Sequence, residues 1–381
     1  MHVRTACAAI TDADPKTNAA RAVEKIRADF AGFSASLLVF YSAMNYDPET
    51  LAAGMRDAFP GVKTIGCTTA GEMIDGRLLH ASVVAMAFST DSFNRCEIAL
   101  IRQNGPPEPE NSIFDSVSEA MNYLARPNIP INLNYQSNVG FVLTDRISDF
   151  SSRVLERLGE LTDVIFVGGV AGDDAKFVEE ERVFFDGRSV RDASVLALLA
   201  PCQGFEILKT QAAELTNKPK LVVTNTDADG IAMEFNDKPA IQVYAESIGV
   251  ELDALDPSHF DKNPLALAVD GEPFLQMLFQ RMPNDGARIF GGARNGKAYA
   301  IAQTTDIVDT TAKDMAEKRA HGPISALLGI NCFSRHNSLK MSNQTEAFGA
   351  LFQNIPGIAF SSYGEVYVGF IAMTSTMILF K

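Results

Sequence analysis

Three short runs in the sequence hold the residues best suited to chemistry. The first is Gly66-Cys67-Thr68-Thr69-Ala70-Gly71-Glu72, which follows the apolar stretch at 62–65. Gly66 and Gly71 have the spacing that opens a phosphate-binding loop. Glu72-Met73 then stands where such a loop needs Lys followed by Ser or Thr, so a nucleotide P-loop is not supported. Freed N–H groups of the turn, with the hydroxyls of Thr68 and Thr69, would hold a carboxylate. The plainer alternative is a tight turn that needs glycine torsions. The second run is Val167-Gly168-Gly169-Val170-Ala171-Gly172-Asp173-Asp174. It reads G-G-x-x-G, and a hairpin pattern follows it where a dinucleotide fingerprint requires a helix. Asp173 and Asp174 would receive an ammonium group or remain solvated in Asx turns.

The third group lies near the C-terminus, in Asn331-Cys332-Phe333-Ser334-Arg335-His336-Asn337 and Ser361-Ser362-Tyr363-Gly364-Glu365-Val366-Tyr367. Each is expected at the end of an apolar strand. Arg335 has the geometry for a bidentate carboxylate clamp. Glu365 would balance an amine, and Tyr363 and Tyr367 would wall a pocket. The alternative is an ordinary Arg335–Glu365 salt bridge. Cys67 is placed as a hydrolase nucleophile would be, with His80 the nearest base in sequence, but there is no G-x-S-x-G elbow. A small buried cysteine is the simpler reading. His336, beside Cys332, or His80 would be the iron ligand if haem were bound. The five histidines are otherwise scattered, with no H-E-x-x-H pair.

The elements that must position these runs read as α/β. Ala19, Ala22, Val23, Ile26 and Phe30 form a helical stripe; an apolar run at 36–41 is of strand length. Asp47-Pro48 opens a helix with Leu51, Met55 and Phe59 on one face, and a strand at 62–66 completes a βαβ unit. A second unit is read from a strand at 139–143, a helix at 149–161 and a strand at 164–167. Strands are also expected at 82–88, 96–101, 183–185 and 194–199, a helix at 111–124 and a proline-rich loop at 104–109. Periodicity fades between Gln211 and Lys220, which places a domain boundary at 205–230. The second half is richer in strands, and no repeat of fixed period is visible. The expected architecture is two mixed-sheet domains with helices packed on the sheets, over 30–215 and 220–381.

Composition narrows the function. The 381 residues carry 33 basic and 47 acidic side chains, a net charge of −14. That balance disfavours nucleic acid and anionic membrane surfaces as partners. No stretch approaches the roughly 18 apolar residues of a membrane span, and the N-terminus lacks a signal-peptide h-region. Cys7, Cys67, Cys96, Cys202 and Cys332 are odd in number and far apart, which suits a reducing cytoplasm better than a disulfide framework or structural zinc.

Taken in order, Thr64 to Glu72, Gly168 to Asp174 and Tyr363-Gly364-Glu365 resemble the FIST family, which has an N-terminal and a C-terminal FIST part. The similarity continues through Phe184 to Gly187, Asp192 to Leu199, Pro264 to Gly271 and Asn331 to Arg335. The resemblance implies a bacterial cytoplasmic sensory protein that binds an amino acid or small carboxylate and is not an enzyme. It implies a separate output partner: a histidine kinase, a cyclic-di-GMP enzyme or a chemotaxis transducer. A branch similar in its Gly-Gly-x-Ala-Gly-Asp-Asp run binds haem and senses nitric oxide. The expected ligand site joins Gly66, Thr68, Thr69, Gly71, Glu72, Gly169, Gly172, Asp173, Arg335, Tyr363, Gly364 and Glu365. Signal output is expected from a ligand-dependent shift between two domain arrangements.

Overall fold

The computed structural model describes residues 5–11, 18–103, 112–126, 133–176, 178, 180–269 and 271–381. The loop expected at 104–109 and the start of the helix expected from Asn111 lie outside the described residues. The chain forms two compact units, Met1–Thr210 with Thr311–Phe370 and Ser375–Lys381, and Gln211–Thr310 with Ile371–Thr374. The fold is α/β with mixed sheets covered by helices, as the sequence predicts. The division is not into consecutive halves. The chain leaves the first unit after Thr210 and re-enters it at Thr311.

The first unit is built from one motif used three times, a repeat that the sequence reading does not detect. The order is edge strand, helix, strand, helix, strand, short hairpin, long strand. The first copy runs Thr5–Thr11, Asn18–Asp29, Ala35–Ser42, Pro48–Ala58, Lys63–Thr68, Glu72–Ile74 with Arg77–Leu79, and Ser82–Ser89. The second runs Phe93–Arg102, Val117–Ala125, Val139–Thr144, Asp149–Leu161, Phe166–Val170, Val183–Phe185 with Arg188–Val190, and Ala193–Pro201. The third opens with Phe205–Gln211 and resumes, after the second unit, at Ile307–Ala320. It continues through Ala326–Cys332, the helices Phe333–Met341 and Thr345–Ala350, Gly357–Ser362, Glu365–Tyr367 with Gly369–Ile371, and Thr374–Phe380.

Local chemistry explains the elements. Asp47 accepts from the Thr50 N–H at 2.9 Å and Pro48 starts the helix, so its first turn is capped. Ser148 caps Asp149–Leu161 through the Ser151 N–H at 3.2 Å, and Phe150, Val154, Leu155 and Leu158 form the buried face. Strand alternation divides the side chains between two layers. Leu37, Val39, Tyr41, Ile65, Cys67, Phe141, Leu143, Leu328, Ile330 and Phe360 share one central core. Leu38 and Phe40 face the opposite way, onto the helices of the first copy, and Val142 onto those of the second. Phe40 stacks on Phe184 at 4.9 Å between ring centroids; burying each such ring is worth about 1.5–3 kcal/mol.

Each copy keeps its four other strands together and lends its hairpin to another copy's sheet. Glu72–Ile74 pairs antiparallel with Gly357–Ser362, Val183–Phe185 with Lys63–Thr68, and Glu365–Tyr367 with Phe166–Val170. The exchange is cyclic, so the three sheets are interlocked around the central core.

In the second unit, a sheet of nine strands among the described residues begins at Glu272–Gln276 and ends at Leu278–Arg281. Those two end strands are separated in the chain only by Met277. Helix Ala240–Ile248 buries Ile241, Val243 and Tyr244 in its core, and Gly249 ends it with φ +76°.

Candidate ligand-binding site

Each sheet of the three-copy unit has a central parallel pair: Ala35–Ser42 with Lys63–Thr68, Val139–Thr144 with Phe166–Val170, and Ala326–Cys332 with Gly357–Ser362. The turns that leave these pairs at their C-terminal ends are bonded to one another. Ala70 N–H donates to the Ser361 carbonyl at 3.0 Å, and Ser361 N–H to Gly71 at 2.7 Å. Gly172 N–H reaches the Thr68 carbonyl at 2.9 Å, and Asp174 N–H that of Thr69 at 3.0 Å. Val170 N–H donates to Gly364 at 2.8 Å. The structure therefore brings together the runs expected to converge, and adds that they are the same step of three repeats. Gly71-Glu72, Gly172-Asp173 and Gly364-Glu365 occupy corresponding places, and all three acids are buried.

Burial sets the electrostatics. The Glu72 carboxyl accepts from Thr69 Oγ1, from Ser82 Oγ at 2.5 Å and from the Ser82 N–H at 3.2 Å. Desolvation pushes its pKa up to about 7, with the Asp174 charge adding to the rise and the Ser82 and Thr69 hydrogen bonds opposing it. Asp173 accepts from the Val178 N–H at 2.7 Å and from the Tyr363 hydroxyl. Burial, then the bond to Asp173, raises the Tyr363 pKa. Asp174, at φ +58°, accepts from the Met44 N–H at 2.9 Å. Thr68 Oγ1 accepts from the Arg182 N–H at 2.9 Å.

Arg335 is the least satisfied of these groups. It lies in the first turn of helix Phe333–Met341, not on the strand end that the sequence suggests, because the strand stops at Cys332. Only 2% of it is exposed. Its Nε donates to Asn331 Oδ1 at 3.3 Å and its Nη2 to Thr311 Oγ1 at 3.1 Å, both neutral, while Nη1 has no hydrogen-bond partner. Burial draws its pKa down to about 10, against the pull of Cys332, Glu365 and Asp314. A buried guanidinium with an unmade bond is costly, and a carboxylate is the group that fits its fork.

Two of the expected site residues do structural work elsewhere. A Cβ at Gly66 would lie 1.9 Å from the Phe40 carbonyl oxygen, so that glycine is needed for packing within the sheet. Gly169 belongs to a strand and is not in the left-handed region. A Cβ there would come within 2.8 Å of Ser362 Oγ and 2.9 Å of Ile330 Cγ2, so space, not torsion, demands glycine. Gly71, at φ +140°, does need glycine's freedom. Gly172 allows the close backbone approach, since its Cβ would be 2.6 Å from the Ala70 nitrogen.

Sequence reasoning missed Thr311, Ser82 and the contact between His336 and Ser361. His336 Nδ1 lies 2.5 Å from Ser361 Oγ beneath Gly71, and its ring centroid is 5.0 Å from that of His80. Lys340 Nζ is 2.9 Å from His80 Nε2. Burial, then His80 and Lys340, lowers the His336 pKa to about 4. The nearby cation opposes the imidazolium that base catalysis would have to form. Of the two histidines named for haem, His336 does not fit it. His336 is 3% exposed, engaged through Nδ1, and covered by Gly71 on one side and His80 on another. No group of three or more His, Cys, Asp or Glu suited to a metal ion occurs among the described residues. Cys67 is wholly buried, and burial with the Glu72 charge raises its thiol pKa well above the usual range, the reverse of an activated nucleophile.

Comparison with known families agrees with the order of the runs. The FIST N domain matches residues 35–238 and the FIST C domain residues 240–368. No curated protein matches the sequence. The junction between the two matches falls inside the second compact unit, and the FIST C match carries the third copy of the motif from Ile307 as far as Val368, its edge strand Phe205–Gln211 lying in the FIST N match. Matched in both parts over most of its length, the chain belongs to the FIST family of sensory domains, which bind small ligands in signalling proteins.

Proposed function

We propose that this protein senses a small carboxylate, an amino acid or a simple organic acid, at the junction of the three turns, and passes the signal to a separate output protein. The observation that carries this reading is Arg335: buried, hydrogen-bonded only to neutral Asn331 and Thr311, and with Nη1 unpartnered. A ligand carboxylate completes that guanidinium, and the buried acids Asp173 and Glu365 favour a ligand that also carries an amine. Glycine-containing turns at the ends of parallel strands, where ligands bind in other α/β sheets, supply the frame. The free thiols of Cys67, Cys96, Cys202 and Cys332 suit a cytoplasmic setting. No described helix is long and apolar enough to cross a membrane. The output protein in this reading is a histidine kinase, a cyclic-di-GMP enzyme or a chemotaxis transducer.

A thermal-shift screen over the amino acids and small mono- and dicarboxylates tests the reading. A member of this set should raise the melting temperature in proportion to the logarithm of its concentration once saturating. Absence of any shift across the set at millimolar concentration would contradict it.

A further inference from the structure

Arg335 is bonded at the places where the chain passes from one compact unit to the other. The four passages fall after Thr210, Thr310, Phe370 and Thr374. Each lies inside a regular element and not in a loop: strand Phe205–Gln211, helix Ile307–Ala320, strand Gly369–Ile371 and strand Thr374–Phe380. Thr210, Thr311 and Ser375, the first-unit residues at three of them, are fully buried. Arg335 Nη2 donates to Thr311 Oγ1 at 3.1 Å, and that oxygen lies 3.4 Å from Thr210 Oγ1. Arg335 Nε donates at 3.3 Å to Asn331, whose register partner is Ser375. Ser375 Oγ in turn donates to the Ile330 carbonyl at 2.8 Å.

Counting donors shows what these bonds leave open. The Nε hydrogen and one of the two on Nη2 are engaged by Asn331 and Thr311. The second Nη2 hydrogen and those of Nη1, which has no partner, form the end of the guanidinium. A carboxylate can take that end as a bidentate fork while Thr311 and Asn331 keep their bonds. We propose that Thr311 is the positioning residue of the carboxylate site and the point at which occupancy is passed toward the second unit. It orients the fork, and it is the first residue of the first unit on a helix that runs unbroken from Ile307. A carboxylate that fixes Arg335 therefore also steadies Thr311 and the residues that precede it in that helix. Coupling is reciprocal, so a Thr311 that is steadied by the carboxylate must strengthen its binding. This inference rests on the carboxylate reading above and adds how that site is regulated.

The probes are the amino acids and small mono- and dicarboxylates of the thermal-shift screen, from formate upward, each against sodium chloride at equal ionic strength. Melting temperature reads binding, and hydrogen exchange by mass spectrometry on the full-length protein reads the segments 205–211 and 307–314. The compound that raises the melting temperature of wild type should slow exchange in both segments by roughly threefold or more. Thr311→Val, which keeps the shape and deletes the hydroxyl, should need a roughly tenfold higher concentration for the same rise. Its exchange in these segments should not respond. Thr311→Ser keeps the hydroxyl and should restore both responses, which a loss of packing alone would not predict. A rise in melting temperature without slowed exchange in wild type would overturn the proposal and leave the carboxylate reading standing. Equal responses of wild type and Thr311→Val would do the same. No rise with any of the compounds would overturn the carboxylate reading and this inference with it.

Discussion

Glu72 stands out among the single residues because its carboxyl is wholly enclosed yet held only by hydroxyls and one N–H. With its pKa raised from 4.5 to about 7, the folded state keeps a proton that the unfolded state releases between those pH values. Its contribution to stability is therefore full below about pH 4.5 and lost as pH rises through 7. The loss amounts to about 3 kcal/mol at roughly 1.4 kcal/mol per pH unit. Glu72→Gln should remove this dependence, since the amide oxygen can still accept from Ser82. Urea unfolding at pH 5 and pH 8 should show wild type losing stability relative to the variant as pH rises; a constant difference would refute the assignment. At this scale the sequence is partly legible. Arg335 is conspicuous as a cation beside Asn331 in an acidic chain, and Gly71 as a turn glycine. Thr311, which supports Arg335 from 24 positions away, and Ser82, which caps Glu72 from ten, have no pattern to announce them.

Among the elements, the exchanged hairpins give the fold its cohesion, since each closes the edge of a sheet that another copy founded. Asp186 is the part of that device most open to test. Asp186→Val places a β-branched residue at φ +42° and deletes the bond from the Thr64 N–H. The strain costs about 1–2 kcal/mol and the lost bond about 1 kcal/mol. The variant should be about 2–3 kcal/mol less stable in urea; an unchanged midpoint would mean that the cap contributes nothing. Apolar periodicity made the two early βαβ units readable, because Leu37/Val39/Tyr41 and Phe141/Leu143 alternate cleanly with helices that show their own stripe. The third copy was hidden for two physical reasons. Its edge strand, Phe205–Gln211, is cut off from the rest by the second unit. Its hairpin replaces the Asp-Gly-Arg of 75–77 and 186–188 with Val368-Gly369-Phe370, erasing the one shared turn signature.

For the whole molecule, the FIST N and FIST C matches divide the chain at 238–240, whereas its contacts group the third copy with the first two and set Gln211–Thr310 apart. A linear reading of composition places one boundary at 205–230 and has no signal for the return at 311, because re-entry into a sheet leaves no mark in hydrophobicity. That topology is what bonds the turns at 68–71, 170–174 and 361–364 to one another, and under the proposed function a ligand held there would touch all three copies. The most direct test of this account is calorimetric titration of the carboxylate found by thermal shift into wild type and Arg335→Lys. Lysine keeps the charge but loses the paired donors. The account predicts a dissociation constant raised roughly tenfold to a hundredfold, the loss of one charge-assisted bond of about 1.5–3 kcal/mol. Equal dissociation constants for the two proteins would contradict it and remove Arg335 from the site.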